Sequence, residues 1–184
     1  AVRETTTYEV IEDVKNFRSE IGILYVNEFN KRVLYKLFST MDLEFELLMD
    51  CGVYVYMWKG QPLAGRTRIS MEDLEPYPCL SFEQGADSSL YLAEEIFVGN
   101  EFPQTIKAND RATMLNLMVG LNGFTLCSGI ICEELNGDEY RAVPFSNTEE
   151  NNQSMEIGYI TRKNQLLGKI GNIYIKNIRQ YLML

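Results

Sequence analysis

The residues best suited to hold a small ligand lie in two short polar turns, residues 82–89 and 109–113. The first reads Phe82, Glu83, Gln84, Gly85, Ala86, Asp87, Ser88, Ser89. The second opens on Asn109 and Asp110, with Thr113 one turn later. Each follows an apolar strand pattern and precedes an amphipathic helix pattern, in PCLSFEQGADSSLYLAEEIF and again in QTIKANDRATMLNLMVG; GFTLCSG then reads as a further strand. Open α/β sheets bind ligands beyond the carboxyl ends of their strands, where the first amides of each helix are unpaired and attract anions. Gly85 permits close backbone approach, and Asp87, Ser88 or Ser89 can cap the helix. Gln84 and Ser88 are neutral donors that suit a polar or anionic ligand. Asn109 or Asp110 caps the second helix and is a candidate contact in its own right. Phe82 completes the first turn, and Phe124 is a candidate wall for which core packing is the stronger reading.

This is the chemistry of recognition. The chain contains no histidine, which removes the usual general base and every Ser–His or Cys–His relay. Cys51, Cys79, Cys127 and Cys132 form no CxxC pair and lie in or beside apolar stretches, as buried reduced thiols do. No metal-ligand spacing, Walker A, GxGxxG or HExxH pattern is present. The carboxylates of Glu94/Glu95 and Glu133/Glu134 are adjacent on helical patterns and so point apart. The expectation is a binding protein without catalytic residues, cofactor or metal.

The 184 residues suffice for a substantial core, in one domain or two small lobes. A net charge of −9 disfavours direct contact with DNA or RNA. The run from Thr161 onward nevertheless holds Arg162, Lys163, Lys169, Lys176 and Arg179 and no acid, which reads as a solvated helix face. No apolar run is long enough for a bilayer, and AVRETTTYEV does not read as a signal peptide, so a cytoplasmic protein is expected.

Along the chain, Val10, Ile11, Val14 and Phe17 recur at helical spacing, with Glu9, Glu12, Asp13 and Lys15 opposite. One of Thr5, Thr6 and Thr7 is the N-cap. EIGILYV (20–26) predicts a strand, and NKRVLYKLF (30–38) a helix with Val33, Leu34, Leu37 and Phe38 inward. LEFELLM (43–49) and VYVYMW (53–58) predict two strands, joined at Asp50–Gly52 in a candidate hairpin. KGQPLAGR (59–66) breaks the pattern, and Ser70 with Asp73 predicts a capped helical turn. IICEEL (130–135) reads as a short helix, EYRAVPF (139–145) as a strand and SNTEENNQ (146–153) as a loop. MEIGYITRK (155–163) predicts a strand returning to the first lobe. The closing helix has an expected inward stripe of Leu167, Ile170, Tyr174, Ile178 and Tyr181. Met114, Leu115, Leu117, Met118 and Val119 predict a buried helix, and Tyr54, Tyr56 and Trp58 one face of a strand.

Several of these runs, in this order, carry a resemblance. ETTTYEVIEDV…SEIGILYV, KGQPLAGRTRISMEDLEPYPCLSFEQG, LNLMVGLNGFTLCSG and IGYITRKNQLLGKIGNIYIKNI resemble successive segments of the effector-binding domain of LysR-type transcriptional regulators. Gln61-Pro62-Leu63-Ala64 is similar to that family's His-Pro-Leu-Ala run. Leu121 stands where the family pattern has its first glycine, and Ser128 where proline often ends the strand.

The resemblance implies an α/β, type 2 periplasmic-binding-protein-like fold, two lobes joined by crossing hinge strands. Residues 1–59 plus 160–184 would form lobe I and residues 60–159 lobe II. It implies an interlobe site for a small polar or anionic effector, with Thr6, Thr7, Phe82, Gln84, Gly85, Ser88, Asn109, Asp110 and Phe124 as contacts. Thr6 and Thr7 are preferred to Thr5, which lies further from the helix axis. It implies a homodimer or tetramer, and DNA contact only through a helix-turn-helix that this sequence does not contain. The family's first strand and helix also have no counterpart before the first helix here, which would leave a sheet edge open to another chain. The rival readings are a solute-binding protein feeding a transporter and an enzyme of similar architecture.

Overall fold

A computed structural model describes residues 1–83, 90–92, 102–130, 137–146 and 154–182. Its elements are α1 (Thr7–Lys15), β1 (Gly22–Asn27), α2 (Lys31–Thr40), β2 (Leu43–Cys51), β3 (Tyr54–Trp58), α3 (Met71–Leu74), β4 (Cys79–Phe82), β5 (Thr105–Ala108), α4 (Arg111–Gly120), β6 (Thr125–Cys127), β7 (Tyr140–Pro144), β8 (Met155–Arg162) and α5 (Lys169–Leu182), with a 3-10 turn at Leu90–Leu92. The chain divides into two compact units. One comprises Ala1–Cys51, Ser88–Glu94 and Met155–Leu184, and the other Gly52–Asp87 and Glu95–Ser154.

The first unit is built on a three-stranded antiparallel sheet of order β1-β8-β2. Alternation along β1 sends Leu24 and Val26 to one face. There they meet Ile11 and Val14 of α1, Leu34 and Phe38 of α2, Leu43 and Ile160, all essentially buried. Phe45, paired with Ile160, stacks on Phe38 with ring centroids 6.1 Å apart. Gly158 makes room for it: a Cβ there would lie 2.2 Å from the Phe45 ring and 2.6 Å from the Glu46 carbonyl oxygen. On the other face the Tyr159 hydroxyl donates to Glu46 at 2.6 Å, and Arg179 of α5 pairs with the same carboxylate. Burial, and then Glu46, raise the Tyr159 phenol above its ordinary pKa. The Glu20 carboxylate accepts the Gly168 amide ahead of α5, where the positive end of a helix dipole favours an acid.

The second unit has a three-stranded antiparallel sheet, β6-β3-β7, and a parallel pair, β4-β5. β3 serves two cores. Val55 and Met57 are buried with Leu63, Ile69, Leu74, Phe124 and Val143. Tyr56 faces the cluster of Leu80, Ala108, Met114 and Met118, and stacks on Tyr140. The strand entry after α4 passes beside β4, with Leu80 N donating to Phe124 O at 2.7 Å and Phe124 N to Pro78 O at 3.1 Å. Gly123 permits this approach, because a Cβ would meet Leu80 at 2.9 Å and Pro78 O at 3.2 Å. The left-handed residue that ends α4 is Asn122 (φ 53), while Leu121 keeps a negative φ of −116. Leucine at 121 is thus compatible with the turn, since Asn is one of the few non-glycine residues that accept this cap. Trp58 Nε1 fixes Asn122 by donating to its Oδ1 at 2.9 Å.

The two repeated strand–turn–helix segments supply β4 and β5–α4, and Ser70 with Asp73 forms a reciprocal capping box on α3. Four expectations are corrected. The strands around residues 50–52 are not a hairpin: β2 pairs with β8, and β3 with β6 and β7. α5 turns Gly171 and Ile175 inward, leaving Ile170 81%, Tyr174 42% and Tyr181 53% exposed. The Glu20 carboxylate lies over Gly171, with its Oε2 2.9 Å from where a Cβ would stand. Phe17 lies beyond α1 at φ 59, exposed, with the Arg162 guanidinium 3.9 Å above its ring. Val33 and Val119, expected inward, are exposed. The predicted helix at 130–135 and the loop at 146–153 fall almost wholly outside the described residues.

Gly158→Ala is expected to destabilise the first unit by about 1–3 kcal/mol, the usual penalty for overpacking, because one clashing atom is backbone and cannot rotate away. Urea unfolding followed by circular dichroism measures it, and wild-type stability would contradict this packing.

Candidate functional site

In the first unit the candidate residues meet at the start of α1. Thr6 is the N-cap, in extended geometry, and its Oγ accepts the Glu9 amide at 3.4 Å. Its carbonyl accepts the Val10 amide at 2.9 Å. Glu9 folds back over this turn, accepting from the Thr5 hydroxyl and from Thr6 Oγ at 3.3 Å. The Thr5 hydrogen bond chiefly holds the Glu9 carboxyl below its ordinary pKa. Thr7 differs from both neighbours. The residue as a whole is 4% exposed, yet its Oγ is not sealed from water as Asp13 Oδ1 is; the hydroxyl has no hydrogen-bond partner among the described residues. The amides of Thr7 and Tyr8, at the first two helical positions, likewise have no partner there. One hydroxyl and two amides without a partner among the described residues therefore belong to the first turn of a nine-residue helix, the end that attracts an anionic or strongly polar group.

The charges around α1 balance. Asp13, expected on the solvent face, is 4% exposed. It lies three residues after Val10 and so shares the inward side. Arg3 and Arg18 flank it at 2.9 and 2.7 Å. Periodicity alone assigned Asp13 by its charge; the signal for burial was its spacing from Val10 together with an arginine on either side of the helix.

In the second unit Asp110 caps α4, accepting the Thr113 amide at 2.8 Å. Hydrogen bonds from Thr113 hold its carboxyl below the ordinary value. This helix thus carries its own anion at its positive end. Asn109 beside it is exposed. Phe82 ends β4, with the Arg111 guanidinium 5.9 Å from its ring centroid. Phe124 is fully buried in the core, edge-on to Phe102, and supports the sheet rather than offering a surface. Gln84, Gly85 and Ser88 lie outside the described residues. Burial raises the Cys127 thiol above its ordinary pKa, which lowers its thiolate fraction and its reactivity. Cys51 and Cys79 are buried. Among the described residues no group of three acidic, cysteine or histidine side chains could hold a metal ion, and no helix is long and apolar enough to cross a membrane.

Comparison with solved structures finds the same fold. HinK, a LysR family transcriptional regulator from Pseudomonas aeruginosa, superposes with a TM-score of 0.62 at 16% identity, over 95% of this chain and 56% of that one. The reduced form of OxyR gives 0.65 at 18% identity, over 99% and 80%. The BenM effector binding domain with its effector benzoate gives 0.61 at 16% identity, over 98% and 77%. The chain thus spans less than two thirds of the length of HinK. No curated protein matches the sequence. The LysR substrate binding domain profile matches residues 1–174, nearly the whole of the 184 residues. The chain belongs to the LysR substrate binding domain family, with its type 2 periplasmic-binding-protein-like fold.

Proposed function

We propose that this chain is the effector-sensing domain of a LysR-type transcriptional regulator, and that a small polar or anionic molecule is held at the N-terminal turn of α1. The observation that carries the reading is Thr7: a hydroxyl without a hydrogen-bond partner among the described residues, on a residue only 4% exposed, beside two helix-start amides that also lack a partner there. Two structural neighbours are described with such molecules, QuiR with shikimate and BenM with benzoate. Both molecules carry a carboxylate, the group that the α1 turn fits. In the second unit Phe82, Asn109 and Asp110, and beyond the described residues Gln84, Gly85 and Ser88, are the proposed contacts. Asp110 repels an anion, and so would meet a ligand hydroxyl or amine.

In this reading the domain acts without catalysis or cofactor. DNA contact belongs to a helix-turn-helix elsewhere in the regulator, the working form is a homo-oligomer, and the compartment is the cytoplasm. Signalling requires the effector to bind one arrangement of the protein more tightly than another. Thr7→Val tests the site, because it replaces the hydroxyl with a methyl of similar size. A thermal-shift screen of small carboxylates, followed by calorimetric titration of the best hit, should give an affinity about ten- to a hundredfold weaker in the variant, the value of one hydrogen bond to a charged group. The unliganded variant should melt close to wild type, since the methyl is of similar size and the hydroxyl it replaces makes no hydrogen bond among the described residues. Wild-type affinity in Thr7→Val would remove α1 from the site.

A further inference from the structure

Asp13 connects the two flanks of α1. Its Oδ2 accepts from Arg3 Nη1 at 2.9 Å, and its Oδ1 lies 2.7 Å from Arg18 Nε. Its carbonyl accepts the Arg18 and Ser19 amides at 2.8 and 3.0 Å. A buried carboxylate must be compensated, yet one guanidinium balances one carboxylate, and here there are two. The Arg18 flank is already tied to the helix by those two amides. Arg3 is placed differently: it draws the segment before the helix onto the middle of α1, and its Nη2 lies 3.8 Å from Glu9. Residues 3–6 are thereby held against the helix from both ends of their span, and Thr6 and Thr7 follow.

We infer that Arg3 and Asp13 are a positioning pair for the effector turn, an inference that rests on the function proposed above. The pair fixes the backbone leading into Thr6, and through it the direction of the Thr7 hydroxyl and of the Thr7 and Tyr8 amides. Arg3 acts through geometry, because its charge already faces Asp13 and Glu9.

The sign of one substitution separates this from a direct charge effect. Asp13→Asn keeps the Arg3 charge and makes the turn more positive. If Arg3 were the counter-ion of the ligand, an anion would bind more tightly to this variant. A positioning pair predicts weaker binding, by about tenfold for one or two misplaced donors. Inorganic phosphate is the probe, titrated into the isotope-labelled chain while the Thr7 and Tyr8 amide signals are followed by NMR.

Arg3→Ala should weaken phosphate binding and speed exchange of the Thr7, Tyr8 and Glu9 amides, and Arg3→Lys should restore part of both. Arg18→Ala removes the same charge from Asp13 at the far end of the helix and should leave both unchanged. Asp13 keeps Arg18 in Arg3→Ala, so that variant tests the inference should Asp13→Asn not fold. Tighter binding in Asp13→Asn, or equal behaviour of Arg3→Ala and Arg18→Ala, overturns the pair. Absence of any phosphate shift in wild type counts against the α1 site itself; the amide-exchange comparison of Arg3→Ala with Arg18→Ala then decides the pair on its own.

Discussion

The first unit depends on the arrival of β8 between β1 and β2. Without Met155–Arg162 those two strands have no common partner, and the helices that cover them have no continuous sheet to cover. The strand comes from far along the chain, so its pairing must offset a long loop-closure entropy. It does so with a buried central register in which Ile160 enters the core and Gly158 admits the Phe45 ring. The same strand leads into Arg162, whose guanidinium covers Phe17 and donates to the Lys15 carbonyl at the end of α1. The last turn of α1 is thus tied to β8, while its first turn is tied through Arg3 and Asp13.

That division of labour explains why α1 can present unpaired donors without fraying. Ile11 and Val14 are fully buried, and Asp13 is enclosed between two arginines. The cap hydroxyl of Thr6 and the folded-back Glu9 satisfy the outer part of the turn. The donors left over are Thr7 Oγ and the first two amides. Hydrogen-bond donors of this kind can bind and orient a ligand. By contrast α4, capped by Asp110, supplies its own negative charge, so the two helix starts that looked alike in sequence differ in what they would accept.

Much of the fold was legible from local pattern. The strands at 22–27, 79–82, 105–108 and 155–162 and the helices α1, α2, α4 and α5 follow apolar periodicity, and the order of motifs carried the family. What failed were statements that depend on partners distant in sequence. The stretch 43–58 has the alternation of a hairpin, but pairing is decided by β8, β6 and β7, which no local pattern reveals. The inward side of α5 does not follow its largest side chains: the buried positions are Gly171 and Ile175, with the Glu20 carboxylate beside Gly171. Asp13 was assigned to water by its charge, although its spacing fits the buried side. Near the candidate site, a threonine N-cap among Thr5, Thr6 and Thr7 was legible from capping chemistry, and the cap is Thr6. The lack of a partner for Thr7 was not, since only packing distinguishes it from Thr5 and Thr6.

The measurement that tests the account most directly is a crystal structure of this chain with the small carboxylate that raises its melting temperature most. The account predicts the carboxylate within hydrogen-bonding distance of Thr7 Oγ and the Tyr8 amide, with the start of α1 otherwise unchanged. A ligand bound elsewhere, with Thr7 still unpartnered, would contradict it.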